Sequence, residues 1–303
     1  MTPADGGGAG PGAVDAHAHV FRPATVSPRG VDALAPADRD APVEDLLTRM
    51  AAAGVTAAVL VPLDGTDDYV AEVLDRHPGR FAAVAVATAA ELRGTAGDPV
   101  AALRARRARW PFDALRCSWL GDPGRPVTES PALPVLRALA DEGMPLWSYL
   151  PPDQLPLLEE LVAGLPLLRV VLNHLGFCPH DMWVDEHRRP RFDDPFPGSL
   201  VQRLERLADA PGVHVLISGQ YALSAEEPPY PELFPVTRRL AAAYGPERLL
   251  WGSDHPWPSD VPGYARLPGL VSAALPDLDP VAAARVLGGT ARELFPRLAA
   301  PAS

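Results

Sequence analysis

Apolar positions in this chain gather into short continuous runs instead of alternating with polar ones. Eight such runs stand out, at Val14–Val20, Ala57–Pro62, Ala82–Ala87, Ala114–Ser118, Pro145–Leu150, Arg169–His174, Val213–Ser218 and Leu249–Asp254. Runs of this length and character predict strands buried on both faces. Segments of helical character separate them. The first spans Leu46–Gly54, with Glu44 and Asp45 near its start and Gly54 as its stop. Others fall at Asp68–Arg76, Pro99–Arg109, Ala132–Glu142, Asp153–Ala163, Leu200–Ala208 and Tyr230–Tyr244, and the last reaches Arg297.

Strand and helix alternating in this way imply a parallel sheet. Eight units within residues 14–297 predict a single-domain α/β fold, a closed (β/α)8 TIM barrel. An open doubly wound sheet would usually carry a Gly-rich phosphate turn after its first strand, where this chain has His17-Ala18-His19. Residues 1–13, rich in Gly, Ala and Pro, predict a disordered tail, and residues 298–303 a second short one.

Composition narrows the partners. The net charge of -11 over 303 residues argues against a nucleic-acid backbone as ligand. The N-terminus lacks the basic flank and apolar core of a signal peptide, and no apolar run reaches the roughly 18 residues of a membrane span. Cys117 and Cys178 stand far apart outside any motif, which suits a reducing compartment without disulfides. The expectation is a cytoplasmic protein acting on a small molecule, with no nucleic-acid or membrane partner. A homo-oligomer is left open.

Chemistry in such barrels sits at the carboxyl ends of the strands. With a period of two, His17 and His19 share one side of the first strand, where they can hold a metal or grip one substrate group. Strand four ends with Arg116, strand five with Ser148 and Tyr149, and strand six with His174. Strand seven ends with Ser218, followed by Gln220 and Tyr221, and strand eight with Asp254 followed by His255. Each alone can be a core residue or a capped strand end. Three histidines, an aspartate and an arginine meeting at one mouth instead predict a working site. A carboxylate ending the run Leu-Leu-Trp-Gly-Ser needs strong partners.

Three motifs, Asp15-Ala16-His17-Ala18-His19, Val171-Leu172-Asn173-His174-Leu175-Gly176 and Leu250-Trp251-Gly252-Ser253-Asp254-His255-Pro256-Trp257, resemble the amidohydrolase superfamily, in its amidohydrolase 2 branch. That branch holds metal-dependent hydrolases, lactonases of the pyrone-dicarboxylate type and decarboxylases of aromatic or unsaturated acids. The resemblance implies His17, His19 and Asp254 as metal ligands for zinc or manganese. It also implies Asp254 as the base toward water, His174 as the group that polarises a carbonyl, and Arg116 as a grip on a substrate carboxylate. Tyr149, Tyr221 and His255 are expected at the substrate. The pattern departs at strand five, where Tyr149 replaces the histidine of metal-bearing relatives. The lactonase relatives work without metal, so metal-free operation is equally open. Ala222 stands where those relatives show an arginine.

Residues 177–197, with His180, Asp181, Trp183, Asp185, Glu186, His187, Arg188 and Arg189, form a long polar stretch without periodicity, expected to be a lid or a solvated loop. The leading expectation is hydrolysis of a lactone or related carbonyl in a small carboxylated substrate. A metal-dependent non-oxidative decarboxylase and a non-catalytic binding barrel are the alternatives.

Overall fold

A computed structural model describes residues 12–65, 68–95, 97–186 and 188–298. Each of the eight apolar runs forms a strand: β1 (Ala13–Ala18), β2 (Val55–Leu60), β3 (Phe81–Val86), β4 (Ala114–Cys117), β5 (Leu146–Ser148), β6 (Val170–Leu172), β7 (Val213–Ile217) and β8 (Leu249–Trp251). Every neighbouring pair from β1 to β8 is parallel. The ring closes just beyond β8. There Ala18 bridges His255, the Asp254 amide donates to the His17 carbonyl at 2.8 Å, and the His19 amide donates to the His255 carbonyl at 2.8 Å. The fold is a (β/α)8 TIM barrel in one domain, as the alternation predicts.

The main helices lie in the strand connections, at Val43–Ala52, Asp68–Arg76, Pro99–Arg109, Leu133–Asp141, Leu155–Gly164, Gly198–Leu207 and Phe234–Tyr244. Their starts follow local chemistry. Asp98 caps the helix at Pro99–Arg109 by accepting from the Val100 and Ala101 amides, with Pro99 at the first helical position. Among the described residues no helix is long and apolar enough to cross a membrane.

The continuous apolar runs divide into two cores. Val14, Ala16, Val59, Val84, Trp147, Val171, Leu216 and Leu250 fill the barrel, and Ala291, Leu294, Phe295 and Leu298 plug its amino end. Their strand neighbours Leu60, Ala85, Leu115, Leu172 and Val215 pack outward into the larger core. Burial on both faces is why no alternation is visible in the sequence.

β1 breaks this parity. Val14 and Ala16 face the barrel interior, whereas Ala18 belongs to the outer core, and the register to β2 slips between Asp15 and Ala18. A bulge of this kind re-aims the side chains that follow it. It turns His17 and His19 toward the interior, whereas Asp15, which precedes it, keeps the outward side and meets the end of β8 at the seam, where it bonds Ser253 and Tyr264.

The stretch 177–197 is more ordered than its lack of periodicity suggests. Trp183–Val184 pairs antiparallel with Pro190–Arg191. Arg191 anchors this hairpin, donating to Asp185 at 2.9 Å and to the Tyr221 and Ser224 carbonyls. Strands of two residues are too short to leave a periodic signature. His187 lies outside the described residues, as do residues 1–11 and 299–303 of the expected tails. Ala13 pairs with Val55 as the first residue of β1, and Leu298 is fully buried in the plug.

Candidate active site

The barrel's carboxyl end opens into a cavity of about 250 Å³, lined among others by His17, His19, Arg116, Tyr149, His174, Tyr221 and Asp254. Six strand ends and the loops after them therefore deliver the expected groups to one place. His255 does not join them. Its Nδ1 lies 2.7 Å from Ser259 Oγ, and its ring packs toward Tyr264, away from the cavity. Asp254 and His255 are adjacent, and the turn after β8 aims Asp254 into the cavity and His255 at Ser259.

Three acceptor atoms converge at the floor. His17 Nε2 and His19 Nε2 are 3.1 Å apart, and Asp254 Oδ1 lies 3.5 Å from the first and 3.3 Å from the second. The partners of the other ring nitrogens explain the orientation. His17 Nδ1 is 2.9 Å from Asn173 Oδ1, and His19 Nδ1 is 2.7 Å from the Val61 carbonyl oxygen. A carbonyl only accepts, so both Nδ1 atoms carry hydrogen and both Nε2 atoms present lone pairs. Burial holds the His17 imidazole well below its ordinary pKa, so it is neutral. Two lone pairs and a carboxylate oxygen facing one another need a positive charge between them.

A divalent ion meets that need. A tetrahedral ion with bonds of about 2.0–2.2 Å sets its ligand atoms roughly 3.3–3.5 Å apart; both edges to Asp254 fall there, and the His17–His19 edge is shorter at 3.1 Å. These three are the one group of converging potential ligands among the described residues. Tyr149 does not extend the set. It lies under Arg116, whose guanidinium carbon is 4.3 Å from the ring centroid.

Asp254 is held from its other side. Tyr221 donates its hydroxyl to Oδ2 at 2.8 Å, and His174 Nε2 is 3.9 Å from the same oxygen. Burial works against the charge on Asp254, and the Tyr221 hydroxyl offsets it from the Oδ2 side. Burial, reinforced by Asp254, raises Tyr221 far above its ordinary pKa, so its proton stays in place to donate. Burial also lowers His174 to about 4, leaving a neutral ring whose Nδ1 is 2.9 Å from Ser218 Oγ.

Backbone strain marks the same corners. His174, Leu175 and Asp254 have φ of 47°, 60° and 60°, a region L-residues other than Asn and Asp seldom occupy. Gly219, at φ 70°, leaves room for His174: a Cβ there would sit 2.5 Å from its Nδ1. Gly219→Ala is therefore expected to destabilise the fold by roughly 1–3 kcal/mol and, by displacing His174, to lower turnover about tenfold or more. Thermal unfolding and steady-state kinetics on the variant check both.

Several supporting residues carried no distinct sequence signal. Asn173 orients His17, yet in the sequence it only precedes His174. Trp147 floors the site, its ring 6.0 Å from His17 and 5.9 Å from Phe295, but reads as an ordinary apolar strand residue. Trp257 walls the cavity edge-on to His19, with ring centroids 4.9 Å apart.

A carboxylate and paired imidazoles at the open end of an eight-stranded barrel are the equipment of hydrolases that act on small carbonyl compounds. The amidohydrolase family model matches residues 14–297; the chain belongs to that family, and it is a hydrolase. It is 28% identical over 301 residues to an L-fucono-1,5-lactonase of Burkholderia ambifaria, covering 93% of this chain and 94% of the relative. A solved structure from Pseudomonas putida, a candidate 2-pyrone-4,6-dicarboxylic acid hydrolase, superposes with a TM-score of 0.72 at 25% identity, over 94% of this chain and 98% of that one. The 5-carboxyvanillate decarboxylase of Sphingomonas paucimobilis shares the fold at a TM-score of 0.60 and 15% identity, over 94% of this chain and 98% of that one.

Proposed function

We propose that this protein hydrolyses the ring ester of a small carboxylated lactone, with Asp254 as general base. The observation that carries the reading is the convergence of Asp254 with His17, His19, His174 and Arg116 on one cavity at the barrel mouth. The similarity to a fucono-lactonase and to a pyrone hydrolase, both named for cyclic esters, favours a lactone over other carbonyl compounds.

His17, His19 and Asp254 would hold a zinc or manganese ion. Such an ion supplies Lewis-acid polarisation and eases deprotonation of water. The chain's own groups account for the rest. Asp254 takes a proton from the attacking water as its oxygen bonds to the carbonyl carbon. Tyr221, donating to Oδ2, keeps the carboxylate aimed. His174 Nδ1 lies against Ser218 Oγ, a hydroxyl able to donate to it; in that tautomer Nε2 carries the hydrogen and donates it to the carbonyl oxygen. The ring C–O bond then breaks, and the proton held on Asp254 passes to the leaving alkoxide. Arg116, backed by Tyr149, holds the substrate carboxylate away from the reacting carbon.

Purified protein is expected to contain about one zinc or manganese per chain by elemental analysis, and chelation is expected to lower turnover by more than tenfold. Full activity in protein stripped of metal would leave oxyanion stabilisation to His174. Decarboxylation in the same cup is the second reading, which the decarboxylase neighbour favours. Release of carbon dioxide, with no acid formed from lactones, would establish it instead.

A further inference from the structure

We infer that the substrate carries a single anionic group on an otherwise apolar body, and that polyhydroxylated and doubly charged rings are poor ligands. This inference deepens the hydrolase reading and rests on it. The cavity is chemically divided. Its polar side chains gather at the floor around Asp254, apart from Asp32 at the rim. Asp32 is exposed, and its Oδ1 already accepts from the Leu34 and Ala35 amides at 2.8 and 2.7 Å.

Between floor and rim the wall is apolar, built from Leu34, Leu63, Phe177, Met182, Phe192 and Leu223, which come from loops after four different strands. Trp257 adds its ring, while its indole N–H is itself buried and does not open to the cavity. A sugar lactone entering here would leave its hydroxyls stripped of water against hydrocarbon, and a polar group buried without a partner is strongly disfavoured. A second carboxylate fares worse. Arg116 is the one guanidinium or ammonium group among the described lining residues, and no carboxylate is paired with it directly among them. An alkyl or aryl body fits the wall, and the volume of about 250 Å³ suits one substituted ring.

Calorimetric titration of the protein as isolated tests this. The probes are cyclopentanecarboxylate, cyclohexanecarboxylate and its 4-methyl and 4-ethyl derivatives, against gluconate and cyclohexane-1,4-dicarboxylate. Affinity is expected to rise about fourfold per buried methylene along the alkyl series until the wall is filled. Gluconate and the dicarboxylate are expected to bind at least tenfold more weakly than cyclohexanecarboxylate. In Phe192→Asn the dependence on alkyl length should flatten. Gluconate or the dicarboxylate binding as tightly as the alkyl acids, or an alkyl series without a trend, would overturn the inference. Turnover is read separately, on carboxylated alkyl δ-lactones beside glucono-1,5-lactone. An intact binding trend with neither lactone opened would count against hydrolysis and leave the apolar, singly charged ligand standing.

Discussion

Asp254→Asn is expected to lower turnover by about 10²–10⁴-fold while leaving the fold intact. The size follows from position. Asp254 is the carboxylate at the cavity floor, 3.3–3.5 Å from two imidazole nitrogens that have no proton to offer it and 2.8 Å from the hydroxyl of Tyr221. Asparagine keeps the side-chain volume and one acceptor but cannot take a proton from water. The backbone gives no reason for collapse either. At φ 60°, aspartate and asparagine are the two residues that tolerate the left-handed region best, whereas alanine would add strain to the loss of charge. Steady-state kinetics beside near-ultraviolet circular dichroism separate the two effects. Near wild-type rates in a folded variant would remove Asp254 from its role as base.

Asp15→Ala is expected to produce the largest loss of stability of any single substitution proposed for this chain, roughly 3–5 kcal/mol. At about 2–4 °C per kcal/mol, the midpoint of thermal unfolding should fall by roughly 10 °C. Asp15 is fully buried and accepts four hydrogen bonds: from the Ser253 amide at 2.7 Å, the Ser253 hydroxyl at 2.5 Å, the Tyr264 hydroxyl at 2.8 Å and the His17 amide at 3.2 Å. Burial raises its carboxyl to about 6 against the pull of these donors. Alanine would leave the donors buried without an acceptor and open a void at the seam between the first and last strands. The Ser253 contact spans 238 residues of sequence, so its loss loosens barrel closure itself. His17 and Asp254 flank that seam, and activity should fall together with stability. Asp15→Asn, which keeps an acceptor and the volume, should lose less in both measurements. Equal midpoints for wild type and Asp15→Ala would show that closure does not depend on this carboxylate.

Activity and stability thus meet at one line in the fold. The residues that close the barrel, from Asp15 to His19 on one side and from Ser253 to His255 on the other, also bring the two imidazoles to the carboxylate. The bulge in β1 lets a single short strand serve both purposes: Asp15, before it, faces the seam, and His17 and His19, after it, face the cavity.

The architecture was legible in the sequence because its cause is local. Parallel strands covered on both faces must be apolar throughout, so eight runs such as Ala57–Pro62 announced eight strands without any knowledge of their neighbours. The strand ends likewise named His17, His19, Arg116, His174 and Asp254, since a polar residue closing an apolar run needs a reason to be there. Roles that depend on partners far along the chain were not legible. Asn173 and Tyr264 read as ordinary residues until closure of the barrel placed one against His17 and the other against Asp15, 249 residues away. His255 was indistinguishable from Asp254 as a candidate, and only the turn after β8 aimed one into the cavity and the other at Ser259. Local pattern determined which elements form and which residues end them. The direction of each side chain at the mouth was decided by the bulge and the seam, because a change of strand parity depends on register with a neighbour that the sequence does not display.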